Sequence, residues 1–527
     1  MKTIKRRAFC KTAAAAAAAA VLAPHAAADA MLPPQAQAVV GREAAEDRYS
    51  FHYRSDRCET DLTHTFYYTD AFFEHSALEY DHPLALATYC VLAASGTATA
   101  SDAYYWVEGD VGREANIAQL YQQLGFANAS YVGYQRSLNT PVDTAGCAFA
   151  QKTLVQDGRR TTLIAAMLRG DGYGAEWASN LHIGEQSWHY GFVTAAQQMV
   201  EDLKSYLEQA KAAAGELGTI KLWLGGYSRG GVAANLAAAK IRRELPEIAQ
   251  ENTFVYTFAA PAALTAVDCP ELQAEYDHNH AADGTLKADW GRSNIFNLIS
   301  SGDMVARVMP QEWGYHRNGN DRFLPATTRK DELEALNALA AELSETPFRM
   351  DQLGTKEDAD AVIEAALRVC GSHEVLHEKY EAAFMDMLQC AFTRSEEEVA
   401  DGVVLDDEAV MARLRSLPNI HEMAWSKVLR CVMAASAMSR PILERLGDIV
   451  PLRAQQLIVP VLAVGLCHEL ETDVLKLLVY YLLSLMTVHA PLDNVLRVAF
   501  CHMPENYITL LEYYDPAEHG MEAYTRT

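Results

Sequence analysis

Ile220-Lys-Leu-Trp-Leu-Gly-Gly-Tyr-Ser-Arg-Gly-Gly231 is the stretch whose reading decides the fold. Ile220 to Leu224 is an apolar run of strand length. It enters Gly226-Tyr227-Ser228-Arg229-Gly230 directly, and a helix-forming run, Val232-Ala-Ala-Asn-Leu-Ala-Ala-Ala-Lys240, follows at once. Strand, G-x-S-x-G, helix is the context of a nucleophile elbow. Such a turn holds the serine in strained dihedrals and brings strand and helix very close, so a side chain beside it would clash. Ser228 Oγ is then expected to stand exposed next to a helix N-terminus, whose N–H groups favour a developing oxyanion. A chance G-x-S-x-G in a glycine-rich loop would lack the flanking strand and helix.

Strand and helix patterns alternate outward from the elbow. Residues 83–95 and 114–124 read as helices, with Gly125 closing the second. Thr161 to Leu168 reads as an apolar strand ending at Arg169-Gly170, and Phe192 to Ala214 as a helix. Further strands are expected at Thr253 to Phe258 and at Asn294 to Ser300, the latter ending at Gly302-Asp303. Alternation of this kind predicts an α/β fold with a mostly parallel sheet covered on both faces. Residues 31–60 read as a polar, irregular lead-in. After about residue 326 the period becomes helical. Thr328 and Asp331 open a helix with apolar positions Leu333, Leu336, Ala340 and Leu343. Tyr380, Phe384 and Leu388 mark another, and Val474 to Met486 a nearly all-apolar third. The expected organisation is an export signal (1–30), an α/β core (31–325), an all-helical insertion or cap (326–490) and a C-terminal return to the core (491–527).

Lys2, Lys5, Arg6, Arg7 and Lys11 form a basic head before the short apolar stretch Ala13 to Ala23, which is too short for a permanent membrane anchor. Small residues at Ala26 to Ala30 suit cleavage. Lys5-Arg6-Arg7-Ala8-Phe9-Cys10-Lys11 resembles the twin-arginine export signal, so the protein is expected outside a bacterial cytoplasm, secreted or at the cell surface. The 527-residue chain has a formal net charge of −25. Residues 1–30 carry five basic residues and one acidic, which leaves the remainder near −29. That balance argues against nucleic acid as a partner. Nine scattered cysteines follow residue 30, with no C-x-x-C pair and no Cys/His cluster, so no metal site is expected.

Serine needs a positioned base to become a nucleophile. In hydrolases built on a nucleophile elbow the chain order is serine, acid, histidine. Asp303, just past a buried-type strand, fits the acid; an ordinary Gly-Asp turn is the competing reading. For the base, His316 lies 13 residues past Asp303, His489 precedes Ala490-Pro491, and His502 sits in Cys501-His-Met-Pro-Glu-Asn-Tyr507 before a last helix over 507–514. A loop histidine after the sheet's final element suits a base that reaches back over Ser228.

Four motifs together resemble the class 3 (fungal-type) lipase family, in its bacterial lipase-like branch. His189-Tyr-Gly-Phe192 resembles the family's H-x-G-F element, and Gly226-Tyr-Ser-Arg-Gly-Gly231 its G-H-S-x-G-G elbow. Asn297-Leu-Ile-Ser-Ser-Gly-Asp303-Met-Val305 resembles the strand and turn supplying the acid, and His502 with Tyr507 the C-terminal histidine loop. The resemblance implies an α/β-hydrolase fold cleaving carboxylic esters of lipids without metal or organic cofactor. It implies Ser228 as nucleophile, Asp303 as acid and His502 as base, with His316 the alternative base. Backbone N–H groups of Asp171 and Arg229 are the implied oxyanion donors. Tyr227 stands where the family usually has histidine, and Asp171 where it usually has a small hydroxyl residue. A carboxylate there is unfavourable unless it turns away or pairs with Arg169. The 198 residues between Asp303 and His502 exceed the spacing of compact members. A helical cap over 326–490 would offer an acyl-chain groove or a lid in transient contact with lipid interfaces, or Val474 to Met486 would be that segment's own core helix. No stable protein partner is expected. The same triad would also serve an acyltransferase or thioesterase, and an inactive surface binding protein on this scaffold is the reading from another class.

Overall fold

The computed structural model describes residues 47–55, 60–96, 113–134, 143–156, 158–170, 179–180, 189–263, 293–307, 309, 315–343, 349–370, 497–498 and 500–520. Residues 1–30, Asp171, the helices expected around Tyr380 to Leu388 and Val474 to Met486, and His489 lie outside them.

Two strands open the fold, β1 (Arg48–Ser55) and β2 (Thr60–Tyr67), paired as an antiparallel hairpin. The expectation of an irregular lead-in over 31–60 is therefore wrong for β1. Phe51 and Tyr53 alternate with less buried His52, and Leu62, His64 and Phe66 alternate with exposed Thr63, Thr65 and Tyr67. That is the period-2 pattern of a half-buried strand. A seven-stranded sheet follows in the order β3 (Ala127–Val132), β4 (Cys147–Gln156), β5 (Arg159–Leu168), β6 (Thr219–Tyr227), β7 (Thr253–Phe258), β8 (Ile295–Ser300) and β9 (Asn320–Leu324). The first two pairings are antiparallel, and β5 through β9 are parallel.

The helices are α1 (His82–Gly96), α2 (Arg113–Gln123), α3 (Tyr190–Ala214), α4 (Arg229–Glu244), α5 (Lys330–Leu343), α6 (Lys356–Cys370), α7 (Pro504–Tyr513) and the single turn α8 (Pro516–His519). They cover both faces of the sheet. On one face Leu222 and Leu224 of β6 pack in a cluster with Ala195, Met199 and Leu203 of α3 and Val232 and Leu236 of α4. On the other, Trp223 joins a cluster with Tyr89 and Leu92 of α1, the hairpin, and Tyr507 and Leu511 of α7. Strands buried on both faces carry continuous apolar runs, which is why β6 and β7 were legible. Trp223 is fully buried and its indole N–H donates to Thr88 Oγ1 at 2.8 Å. Burial without that partner would leave the donor unpaired, at a cost of about 1–3 kcal/mol.

The described start of the 326–490 segment is not detached from this core. Leu336 and Ala340 of α5 share the cluster of Tyr507 and Leu511. Past α5 the chain runs beside the C-terminal return: Gly354 N–H donates to Arg497 O at 3.1 Å, and Arg497 Nη2 donates to Leu353 O at 2.8 Å. The parallel arrangement with its elbow between β6 and α4 is an α/β-hydrolase-type architecture.

Candidate active site

Strand β6 delivers Ser228 to the sheet's C-terminal edge, where ligands of open α/β sheets bind. Ser228 has φ 54° and ψ −122°, a left-handed conformation uncommon for a residue with a Cβ. Its N–H donates to Phe258 O at 2.8 Å, so the turn is tied to β7. A Cβ on Gly226 would run into Gly230 O, and one on Gly230 into Leu168 O and Arg169 O. Glycine is required at both places because strand, turn and helix close on one another there. The serine hydroxyl makes no capping bond to α4 and is turned to the histidine instead.

The expected acid, Asp303, sits in the turn after β8. Asp303 N–H donates to Ser300 O at 2.9 Å, and Val305 N–H donates to Asp303 Oδ1 at 2.8 Å. Tyr507 of α7 donates its phenol to Asp303 Oδ2 at 2.8 Å and accepts from Ser300 N–H at 3.0 Å. Burial, and next the charge of Asp303, push the Tyr507 phenol well above its usual range, so it stays protonated and donates. Asp303 has no exposed surface, and three donors compensate its buried carboxylate.

The expected base, His502, is carried by the turn between Phe500 and α7. His502 Nδ1 lies 2.9 Å from Asp303 Oδ2, and Nε2 lies 2.9 Å from Ser228 Oγ. A carboxylate only accepts, so Nδ1 carries the proton and Nε2 is left to accept from the serine. Residues 228, 303 and 502, separated by most of the chain, thus meet in one continuous hydrogen-bonded line. His316, the alternative base, is buried where its carbonyl accepts from Ala263 N–H at 3.2 Å. Among the described residues, the ring nitrogens that meet Ser228 and Asp303 are those of His502.

Of the two expected oxyanion donors, Asp171 lies outside the described residues. Arg229 N–H lies on the first residue of α4, next to the nucleophile. The Arg229 side chain points elsewhere: Nη2 donates to Thr144 O and Nη1 to Asn180 Oδ1, both at 2.9 Å, with the guanidinium 5.8 Å above the Phe192 ring. His189 stacks on that ring at 3.8 Å and binds Asn180 O at 2.9 Å. The His189-Tyr-Gly-Phe192 element therefore braces the residue after the nucleophile. Arg169 donates to Gly170 O at 2.9 Å and to Gly133 O at 2.8 Å.

Two contacts went unread in the sequence. Tyr507 was visible near His502, yet nothing in its spacing assigns its hydroxyl to Asp303. Tyr227 meets His502 only in three dimensions. No group of three metal-ligating side chains occurs among the described residues. Replacing Tyr507 by Phe is expected to lower kcat about 10- to 100-fold, the worth of one hydrogen bond to a charged group. An unchanged kcat on p-nitrophenyl butyrate would show that Asp303 is held without it.

A model described as lipase (class 3) matches residues 169–313, from the end of β5 through the Asp303 turn. Among curated proteins none matches the chain. Rhizomucor miehei triacylglyceride lipase is 14% identical, with 45% of this chain and 78% of that one covered at a TM-score of 0.28. A lipase from Rhizopus microsporus var. chinensis is 16% identical, with 49% and 75% covered at 0.28. Lipase II from Rhizopus niveus is 14% identical, with 45% and 78% covered at 0.26. Scores of this size describe a partial overlap and not a shared overall shape.

Proposed function

We propose that this chain is a serine hydrolase of carboxylic esters, related to the class 3 lipases, acting on lipid acyl esters through an acyl-enzyme. The observation that carries the reading is the line Ser228 Oγ, His502 Nε2, His502 Nδ1, Asp303 Oδ2, each polar step 2.9 Å, with the serine on a strained elbow. Ser228 Oγ attacks the ester carbonyl as its proton passes to His502 Nε2. Asp303 holds the Nδ1 proton and stabilises the imidazolium that forms. The N-terminus of α4, with the Arg229 N–H, faces the negative charge developing on the carbonyl oxygen. The imidazolium then protonates the departing alcohol. Water repeats the cycle on the acyl-serine and frees the acid. A lipid substrate is supported by the family match over residues 169–313.

Hydrolysis of p-nitrophenyl butyrate and palmitate by the chain tests this, together with labelling of Ser228 by a fluorophosphonate. Turnover of both esters with labelling is expected, and their ratio ranks short against long acyl chains. A chain that neither turns over nor labels is not a hydrolase, and the binding-protein reading takes its place. Release of acyl product only when an alcohol acceptor is added would make it an acyltransferase.

The basic head and apolar run of residues 1–30 support export as a further part of this proposal. Changing Arg6 and Arg7 together to Lys is expected to leave the protein in the cytoplasmic fraction of the bacterial host. Unaltered export of that variant would remove the twin-arginine route.

A further inference from the structure

We propose that Tyr227 is the positioning residue for the base: its hydroxyl anchors the His502 backbone and its ring face supports the His502 imidazole. The inference rests on the serine-hydrolase reading and adds a residue to it. Tyr227 ends β6, immediately before the nucleophile. Its phenol donates to the backbone carbonyl of His502. Its ring lies nearly parallel to the imidazole, with centroids 5.1 Å apart and planes inclined by 23°. One side chain therefore holds the base both by its backbone and by its ring.

The tyrosine is itself wedged. Tyr89 meets it edge-on at 5.6 Å and Tyr507 at 6.3 Å. On the side of the Arg169-Gly170 segment the fit is closer still, since a Cβ on Gly170 would lie 2.9 Å from Tyr227 Cδ1. The glycine thus leaves room for the ring, and the ring links the segment entering the oxyanion region to the turn that carries the base.

The chemistry needs such a support. His502 must take a proton from Ser228 Oγ and return it to a leaving oxygen some distance away without swinging out of reach. Two hydrogen bonds fix its nitrogens, and the backbone on either side of His502 is tied down as well. Asn506 Nδ2 donates to Cys501 O at 2.6 Å, and Met503 N–H donates to Phe500 O at 3.2 Å. The bond from Tyr227 restrains the carbonyl of His502 itself. The stacked face adds an electrostatic element, because an aromatic face attracts the imidazolium present only after proton transfer. That interaction is stronger in the transition state than in the ground state, so it belongs in kcat and not in KM.

The test measures kcat and KM on p-nitrophenyl butyrate with the wild type, Tyr227→Phe and Tyr227→Leu, alongside their unfolding midpoints. Tyr227→Phe keeps the face, fits the same space and loses only the hydroxyl, so kcat is expected to fall about fivefold. Tyr227→Leu loses both and is expected to fall about 100-fold, with KM within about twofold of wild type. The aromatic variant thus recovers most of what leucine loses. A readout independent of turnover is the 13C signal of the His502 imidazole in histidine-labelled chain, assigned by its absence in His502→Gln. It should move in Tyr227→Leu, where the ring face is gone, and stay near its wild-type position in Tyr227→Phe. Equal kcat in all three proteins, equal losses in Phe and Leu, or a loss confined to KM would each overturn the proposal. A wild type that neither labels nor turns over would instead overturn the hydrolase reading, and the imidazole signal would still report on the contact.

Discussion

Ser228→Ala and His502→Ala are each expected to reduce kcat/KM by about 10⁴- to 10⁶-fold, with the double variant scarcely worse than either alone. The reason lies in the shared 2.9 Å contact between Ser228 Oγ and His502 Nε2. Without the imidazole, the serine hydroxyl keeps its proton and is a poor nucleophile. Without the serine, the imidazole has nothing to activate except water held less favourably. The two losses describe one step, so they do not add. KM should change little, because neither group is needed to seat the acyl chain. Residual rate over water would come from the α4 N-terminus and from substrate binding. His316→Ala is the matched control and should retain most of the activity, since its backbone is engaged with Ala263 and the ring beside Ser228 is that of His502. The measurement is hydrolysis of p-nitrophenyl butyrate by the three single variants and the double variant, with fluorophosphonate labelling as a second readout. Activity surviving in Ser228→Ala, or lost in His316→Ala as fully as in His502→Ala, would dismantle the assignment.

Asp303→Asn is the second large effect, a fall in kcat of about 10⁴-fold with little change in the unfolding midpoint. The amide is nearly the same size as the carboxylate, and with its oxygen at the Oδ1 position it still accepts from Val305 N–H, while its NH2 at the Oδ2 position faces His502 and the Tyr507 phenol oxygen. At His502 the change is chemical. An Asn amide can present N–H to Nδ1, and Nδ1 then accepts, which moves the ring proton to Nε2. That nitrogen faces Ser228 Oγ at 2.9 Å and could no longer take the serine's proton. The imidazolium would also lose the negative charge beside it. Because Asp303 is wholly buried, solvent does not replace that charge. Side chains smaller than Asn confound this test by leaving Tyr507 and Val305 N–H unpaired, so Asn is the informative choice. Steady-state kinetics on the same ester decide it: an Asp303→Asn enzyme within about tenfold of wild type would mean that the carboxylate orients nothing that matters.

Much of the sheet was legible because its central strands are buried on both faces. Ile220 to Leu224 is apolar apart from Lys221, and Thr253 to Phe258 apart from its two threonines, and a helix with a clear period separates them. The elbow was legible for a different reason. Glycines at 226, 230 and 231 flank one serine because the backbone leaves no space for Cβ atoms there. β9 was not legible, since two of its inward residues are polar. Asn320 and Arg322 are buried, and the Arg322 guanidinium lies 3.6 Å from the Tyr80 ring centroid, a contact no hydrophobic pattern signals. The β1–β2 hairpin has the right alternation, but polar residues around it led the lead-in to be read as irregular.

For the site, the chain order placed Ser228 and Asp303, because each directly follows a strand whose end position is local information. The base was different. His316 and His502 both follow Asp303, and bare spacing favours neither; a loop position after the sheet's last element and the family resemblance point to His502. Which imidazole lies between Ser228 and Asp303 depends on where α7 docks, and α7 docks through Tyr507 and Leu511 against residues more than a hundred positions away. The sequence by itself determined the elbow, the parallel strands around it and the kind of chemistry, because these follow from local sterics and periodicity. Tertiary structure alone decided which histidine meets the serine, and why a tyrosine stands at 227. Those depend on long-range packing, which brings a C-terminal turn back over the sheet to within hydrogen-bond distance.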